Sequence, residues 1–143
     1  MTALLNVAVP AAGTYTGPAY QLRLPAGLGP IMSVQETLTI TSGGTTIQVY
    51  LQTSYDSGVT WCDVLAFAVL TTAAARFVGS VVQAALAPAI APSDGALTTN
   101  TAAAGIFGSW WRVKYVVVGV YVGANLRVDA FANDGLVPAG VGA

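Results

Sequence analysis

The chain predicts an all-β fold, a two-sheet antiparallel β-sandwich or jelly roll of about eight strands. Three observations carry this. Short runs rich in Val, Ile, Thr and Tyr are separated by clusters of Gly, Pro, Asn and Asp. Two segments alternate strictly between apolar and polar residues, the period of a strand with one buried face. Short turn sequences containing glycine stand between neighbouring runs, as hairpins require.

The strands fall near residues 4–9, 19–24, 34–41, 46–54, 61–70, 75–82, 110–119 and 125–132. In the fourth, Ile47, Val49 and Leu51 share one face, and Gln48, Tyr50 and Gln52 share the other, outward one. In the last, Leu126, Val128, Ala130 and Ala132 oppose Arg127 and Asp129. The run 61–70 is apolar on both faces apart from Asp63, which suits a central strand or a subunit contact. Ser42-Gly43-Gly44 and Asp56-Ser57-Gly58 each connect two strands. Val120 to Ala124, with Gly123, is expected to close a last hairpin that places Arg112, Lys114, Arg127 and Asp129 on one polar face, with Lys114 opposite Asp129. No repeat of fixed period runs through the chain, which excludes a propeller.

The most specific local signal is Ser54-Tyr55-Asp56-Ser57-Gly58-Val59-Thr60-Trp61. A short reversal needs a residue that tolerates positive φ, and Gly58 supplies it. Asp56 can accept backbone N–H groups and hold the turn shut. Trp61 opens the returning strand and is expected to cover the hairpin base and belong to the core. These eight residues fit S-x-D-x-G-x-T-W at every fixed position. The segment resembles the Asp-box, the hairpin signature of sialidase-type propellers that also occurs singly in other β-proteins. The resemblance implies a structural staple formed by Ser54, Asp56, Gly58, Thr60 and Trp61, and it implies no glycosidase activity.

The 143 residues suffice for one domain with a real core. Eleven of them are charged, and the net charge is −1. Nucleic acid is excluded as a partner for want of a basic footprint, and polybasic membrane attachment for the same reason. The sequence is 55 % hydrophobic, yet no uninterrupted run reaches the ~20 apolar residues of a spanning helix. Met1-Thr2-Ala3-Leu4 lacks the basic start of a secretory leader. A single cysteine, Cys62, permits no internal disulfide and is expected to be buried on a strand.

Material for catalysis is scarce. The absence of histidine rules out Ser-His-Asp and Cys-His arrangements and histidine-containing zinc sites. No P-loop or dinucleotide fingerprint is present. The carboxylates are Glu36, Asp56, Asp63, Asp94, Asp129 and Asp134, and their spacing supports neither a glycosidase pair nor a calcium loop. The reading is therefore no enzyme, no metal and no cofactor. Trp110 and Trp111 are adjacent, so on a strand one ring belongs to the core and the other to a surface or interface.

So few charges call for neighbours that cover the surface. Residues 83–108 interrupt the strand pattern with an apolar, proline-containing stretch, in which Ala84, Leu86, Pro88, Ile90 and Pro92 read as an arm laid on another subunit. The alternative is a loop covering the end of the domain. Residues 1–16 and 136–143 share this Gly/Pro/Ala character and are read as further docking segments of one domain spanning 1–143. Trp110 completes the candidate interface.

At whole-chain level the order is similar to small structural proteins of tailed-bacteriophage virions. The residues that carry this are 46–52, the box at 54–61 with Asp63-Val64 behind it, Trp111 to Tyr115, and 119–126. The resemblance implies a capsid decoration (cement) protein, made in the host cytoplasm and carried on the virion. Its partners would be the major capsid protein or other virion subunits and its own copies, with a trimer the expected symmetry. Another head or tail accessory, or a carbohydrate-binding or adhesin module, is the alternative.

Overall fold

The computed structural model describes residues 1–22, 31–82, 91–103, 105–132 and 136–138. It is all-β and antiparallel, with two principal sheets facing each other across one hydrophobic cluster. The first sheet runs β1 (Thr2–Ala8), β12 (Asn125–Ala132), β4 (Ile31–Thr39), β8 (Ala75–Val82). The second runs β13 (Leu136–Pro138), β3 (Tyr20–Leu22), β10 (Trp110–Val118), β6 (Thr46–Ser54), β7 (Cys62–Ala66), β9 (Thr101–Ala102). β2 (Gly13–Thr16) lies beyond β3 on the same side of β10, so the two together form one interrupted neighbour. The N–H of Gly17 bonds Val113 O at 2.8 Å within that interruption.

Alternation decides which faces meet. On β10, Trp111, Val113, Tyr115 and Val117 are buried, and on β6, Ile47, Val49 and Leu51. On β12, Leu126, Val128 and Ala130 are buried, and on β4, Met32, Val34 and Leu38. These are the inner faces. Burying such side chains is worth about 1.5–3 kcal/mol each, and this is what holds the two sheets together.

The structure corrects the last hairpin. β10 pairs with β6, whereas β12 pairs with β4 and β1, so the two strands sit in different sheets. The connection between them carries β11 (Tyr121–Val122), which pairs with β5 (Ser42–Gly43) in a ribbon at the end of the sandwich. Gly119, at φ 85°, starts the crossing, and a Cβ there would meet Thr45 Oγ1 at 2.6 Å. Lys114 and Asp129 are therefore not partners. Asp129 is held by Arg127, whose Nε lies 3.0 and 2.8 Å from its two carboxylate oxygens.

Residues 1–16 and 136–138 enter the molecule's own sheets as β1, β2 and β13, and the strand expected at 4–9 is β1. Their Gly and Pro residues mark strand ends, and the β-forming residues between them supply the pairing.

β4 carries an anomaly. Glu36 alternates with Met32, Val34 and Leu38 and is fully buried on the inner face, where neither carboxyl oxygen has a hydrogen-bond partner among the described residues. Trp111 Nε1 is likewise unpartnered there. Burial raises the Glu36 carboxyl to about 9, so it is uncharged at neutral pH. A raised folded-state pKa gives stability that is complete below the unfolded value near 4.5 and declines as pH rises towards about 9. Glu36→Met is expected to raise the melting temperature at pH 8 and flatten its decline over that window, as followed by thermal melts; an unchanged slope would place the titration elsewhere.

Candidate functional site

The box at 54–61 joins β6 to β7. Ser57 and Gly58 both have positive φ, at 60° and 87°, which matches the primed turns that suit the twist of paired strands. Ser54 Oγ donates to Asp56 Oδ1 at 2.8 Å and accepts the Gly58 N–H at 2.9 Å. The Thr60 N–H donates to Asp56 Oδ1 at 2.8 Å, and its hydroxyl to Oδ2 at 2.6 Å. These bonds, the Thr60 hydroxyl first, lower the Asp56 carboxyl to about 2. Trp61 Nε1 donates to Gly58 O at 3.0 Å. The residues fixed by the motif thus close a single ring of contacts around the turn.

Trp61 does not lie in the core. It is half-buried on the outer face of the second sheet, with the Arg112 guanidinium 4.3 Å from its ring centroid. Trp111 is the indole between the sheets, fully buried and packed edge-on against Phe107 at 4.7 Å. A one-residue bulge explains the placing of Trp61. Leu51 pairs with Leu65 but Gln52 pairs with Asp63, so Val64 is the extra residue on β7. The bulge keeps Leu65 level with the inner row and turns Asp63 outward beside Gln52.

The outward side chains at the centre of this sheet are covered. Gln48, Tyr50 and Gln52 lie on the outward face as expected, but Gln52, Tyr50 and the neighbouring Asp63 are buried there. Their cover is the segment 91–103. Asp63 accepts from Gln52 Nε2 at 2.8 Å, from Ser93 Oγ at 2.8 Å, and from the backbone N–H groups of Gly95, Ala96 and Leu97 at 2.8, 2.9 and 3.1 Å. Its own N–H donates to Ser93 O at 2.7 Å. Burial alone would raise the Asp63 carboxyl, but these donors outweigh it and hold it below the usual range.

Around this clasp the remaining charges converge. Gln52 Nε2 also donates to Asp94 Oδ1 at 2.7 Å, and Arg112 Nε donates to Gln52 Oε1 at 2.8 Å. Lys114 Nζ sits 2.8 Å from Asp94 Oδ1, and Arg112 Nη2 sits 3.8 Å from it. The Lys114 bond, then Gln52, lowers the Asp94 carboxyl. Further along, Thr99 Oγ1 bonds Gln48 Oε1 at 2.7 Å, and Ala103 N bonds the carbonyl of the bulge residue Val64 at 2.8 Å.

The arm expected at 83–108 is thereby corrected where it is described. Residues 91–103 cover the molecule's own sheet, and Ile106 and Phe107 enter its core. Ala84, Leu86, Pro88 and Ile90 lie outside the described residues. Pro92 is exposed and Trp110 half-buried, the latter beside Trp61 over Gly58, where a Cβ would lie 3.6 Å from the Trp110 ring and 3.4 Å from that of Trp61. Cys62 is half-buried at the start of β7. Among the described residues no group of three or more His, Cys, Asp and Glu side chains gathers to hold a metal.

Comparison with protein-family models, curated proteins and solved structures returns no match.

Nine charged residues are described, and eight of them are engaged or buried. Glu36 lies in the core, Asp56 holds its turn, and Asp63, Asp94, Arg112 and Lys114 belong to the clasp. Arg127 and Asp129 pair with each other, which leaves Arg76 with no ion pair among the described residues. Besides it, the exposed large side chains are mainly apolar, with Val59 at 79 %, Met1 at 76 %, Val120 at 72 % and Val78 at 69 % exposure, followed by Tyr55, Val122, Val118 and Phe131.

Replacing Asp63 by Ala leaves three loop N–H groups without their acceptor. The expected cost is about 2–4 kcal/mol, seen as a lower denaturation midpoint, with Asp63→Asn intermediate. A midpoint equal to wild type would mean that solvent satisfies those groups and the clasp is not structural.

Proposed function

We propose that the chain is a non-enzymatic structural subunit of a tailed-bacteriophage virion, a capsid decoration (cement) protein that binds between major capsid subunits and works alongside further copies of itself. The observation that carries this reading is the charge distribution just described. Eight of nine described charges are spent inside the domain or in its turn, and the exposed positions are mostly small or hydroxylic, with valines and aromatics among the large ones. A surface with so little charge is poorly suited to life as a dispersed monomer and well suited to being covered.

The mechanism is multivalent burial. Each copy contributes a modest apolar contact, and a lattice of copies adds them. Rigidity matters in that role, because a brace that deforms transmits little load. The two sheets, the bulged strand β7 and the loop clasped over it supply a stiff body. The sequence resemblance to virion accessory proteins selects the phage particle among assemblies that offer such a surface.

A second reading draws on the aromatic group at the box. Tyr55 is 62 % exposed and its hydroxyl is fixed by the Phe107 N–H at 2.8 Å, near half-buried Trp61 and Trp110. A fixed aromatic face is one requirement for stacking on a sugar ring.

Mass spectrometry and immunogold labelling of particles purified from the protein's own source separate the two. The decoration reading expects the chain in many copies over the head surface. Its absence from purified particles, together with retention on a glycan array that Tyr55→Ala abolishes, would replace that reading with the carbohydrate one.

A further inference from the structure

We infer that strand β8 is a self-pairing edge, through which two copies of this chain join their first sheets into one continuous sheet about a two-fold axis. An exposed strand edge offers unpaired N–H and C=O groups to any other chain, and proteins normally blunt such edges by shortness, proline, bulges or charge.

Among the described residues, three of the four end strands of the two principal sheets are blunted. At the ends of the second sheet, β13 is three residues long and closes on Pro138, and β9 is two residues long. In the first sheet, β1 is bulged between Ala3 and Leu5, and Tyr20 Oη donates to the Ala3 carbonyl at 2.9 Å. β8 is neither short nor bulged. It runs eight residues, Ala75 to Val82, in unbroken register against β4, and among the described residues β4 is its only strand partner. It contains no proline, and its one charge is Arg76. Val78, at its middle, is 69 % exposed.

The occupant that fits is a second β8. Antiparallel pairing centred on Val78 sets Val78 against Val78 of the other copy and Arg76 against Ser80. No like charges meet, and the outward valines cover one another. On the opposite face Phe77 stands against Gly79, a bulky residue across from one without a side chain. Cross-strand pairs of β-branched residues stabilise such a ladder, and a two-fold contact of this kind closes on itself instead of propagating. This conflicts with the trimer expected from the sequence resemblance. It deepens the assembly reading above by supplying its copy-to-copy half.

Sedimentation equilibrium and oxidative cross-linking test it on the full chain. Wild type is expected to show a concentration-dependent mass of two copies. Val78→Lys places two ammonium groups face to face and is expected to shift the chain to monomer with its circular dichroism unchanged, since the side chain points to solvent. Val78→Cys, in a Cys62→Ser background, is expected to give a disulfide-linked dimer, with Val120→Cys as the exposed control that does not. A monomeric wild type at all concentrations, or a dimer indifferent to Val78→Lys, overturns the pairing. Dimers that fail to appear on particles would refute the decoration role and leave the edge intact; monomers that bind particles would do the reverse.

Discussion

Asp63 is the constraint on which the second sheet depends. A carboxylate placed in a strand that is covered on both faces carries a heavy desolvation cost unless donors surround it. Here a side-chain amide, a hydroxyl and three consecutive backbone N–H groups do so. That requirement is met only if residues 93–97 lie across β7. Once they do, Asp94 is delivered to Lys114 and Arg112, Thr99 to Gln48, and Ala103 to Val64. The course of residues 93–97 across the sheet is therefore a consequence of one buried charge, and the Ser93, Asp94 and Thr99 side chains face the polar row beneath them.

The same arrangement shapes the surface. Polar side chains that would ordinarily face water are turned to one another beneath the loop, and what remains outside is mostly small, hydroxylic or aliphatic. Exposed ion pairs such as Lys114–Asp94 contribute little stability on their own, so their value lies in fixing geometry around Asp63 and Gln52. Outside the clasp the surface is weakly charged and carries scattered exposed valines.

Much of the fold was legible because it rests on short-range patterns. Alternation at 46–51 and 125–130 set the inner faces correctly, and the box at 54–61 announced its turn through Gly58. What escaped depends on long-range pairing. The sequence at 119–124 looks like a hairpin turn, but a glycine-rich connection serves equally for a crossing between sheets, and only the partners β6 and β4 decide. Asp63 had a readable signal: a lone acid in an apolar strand needs donors, and Ser93-Asp94-Gly95 is a turn able to supply them. Trp61 was assigned to the core because β7 was read without its bulge, which shifts the residues before Val64 by one face. Glu36 also lay in view, since Val34, Glu36 and Leu38 share a face, but a charge there runs against every local expectation and marks a place where local rules give way.

Amide hydrogen exchange at Gly95, Ala96 and Leu97 tests the central claim most directly. If the Asp63 carboxylate organises the outer layer, these three loop amides exchange slowly, with protection close to that of β6 and β10, and Asp63→Asn releases them while β10 stays protected. Fast exchange in the native protein, at the rate of an open surface loop, would contradict the account.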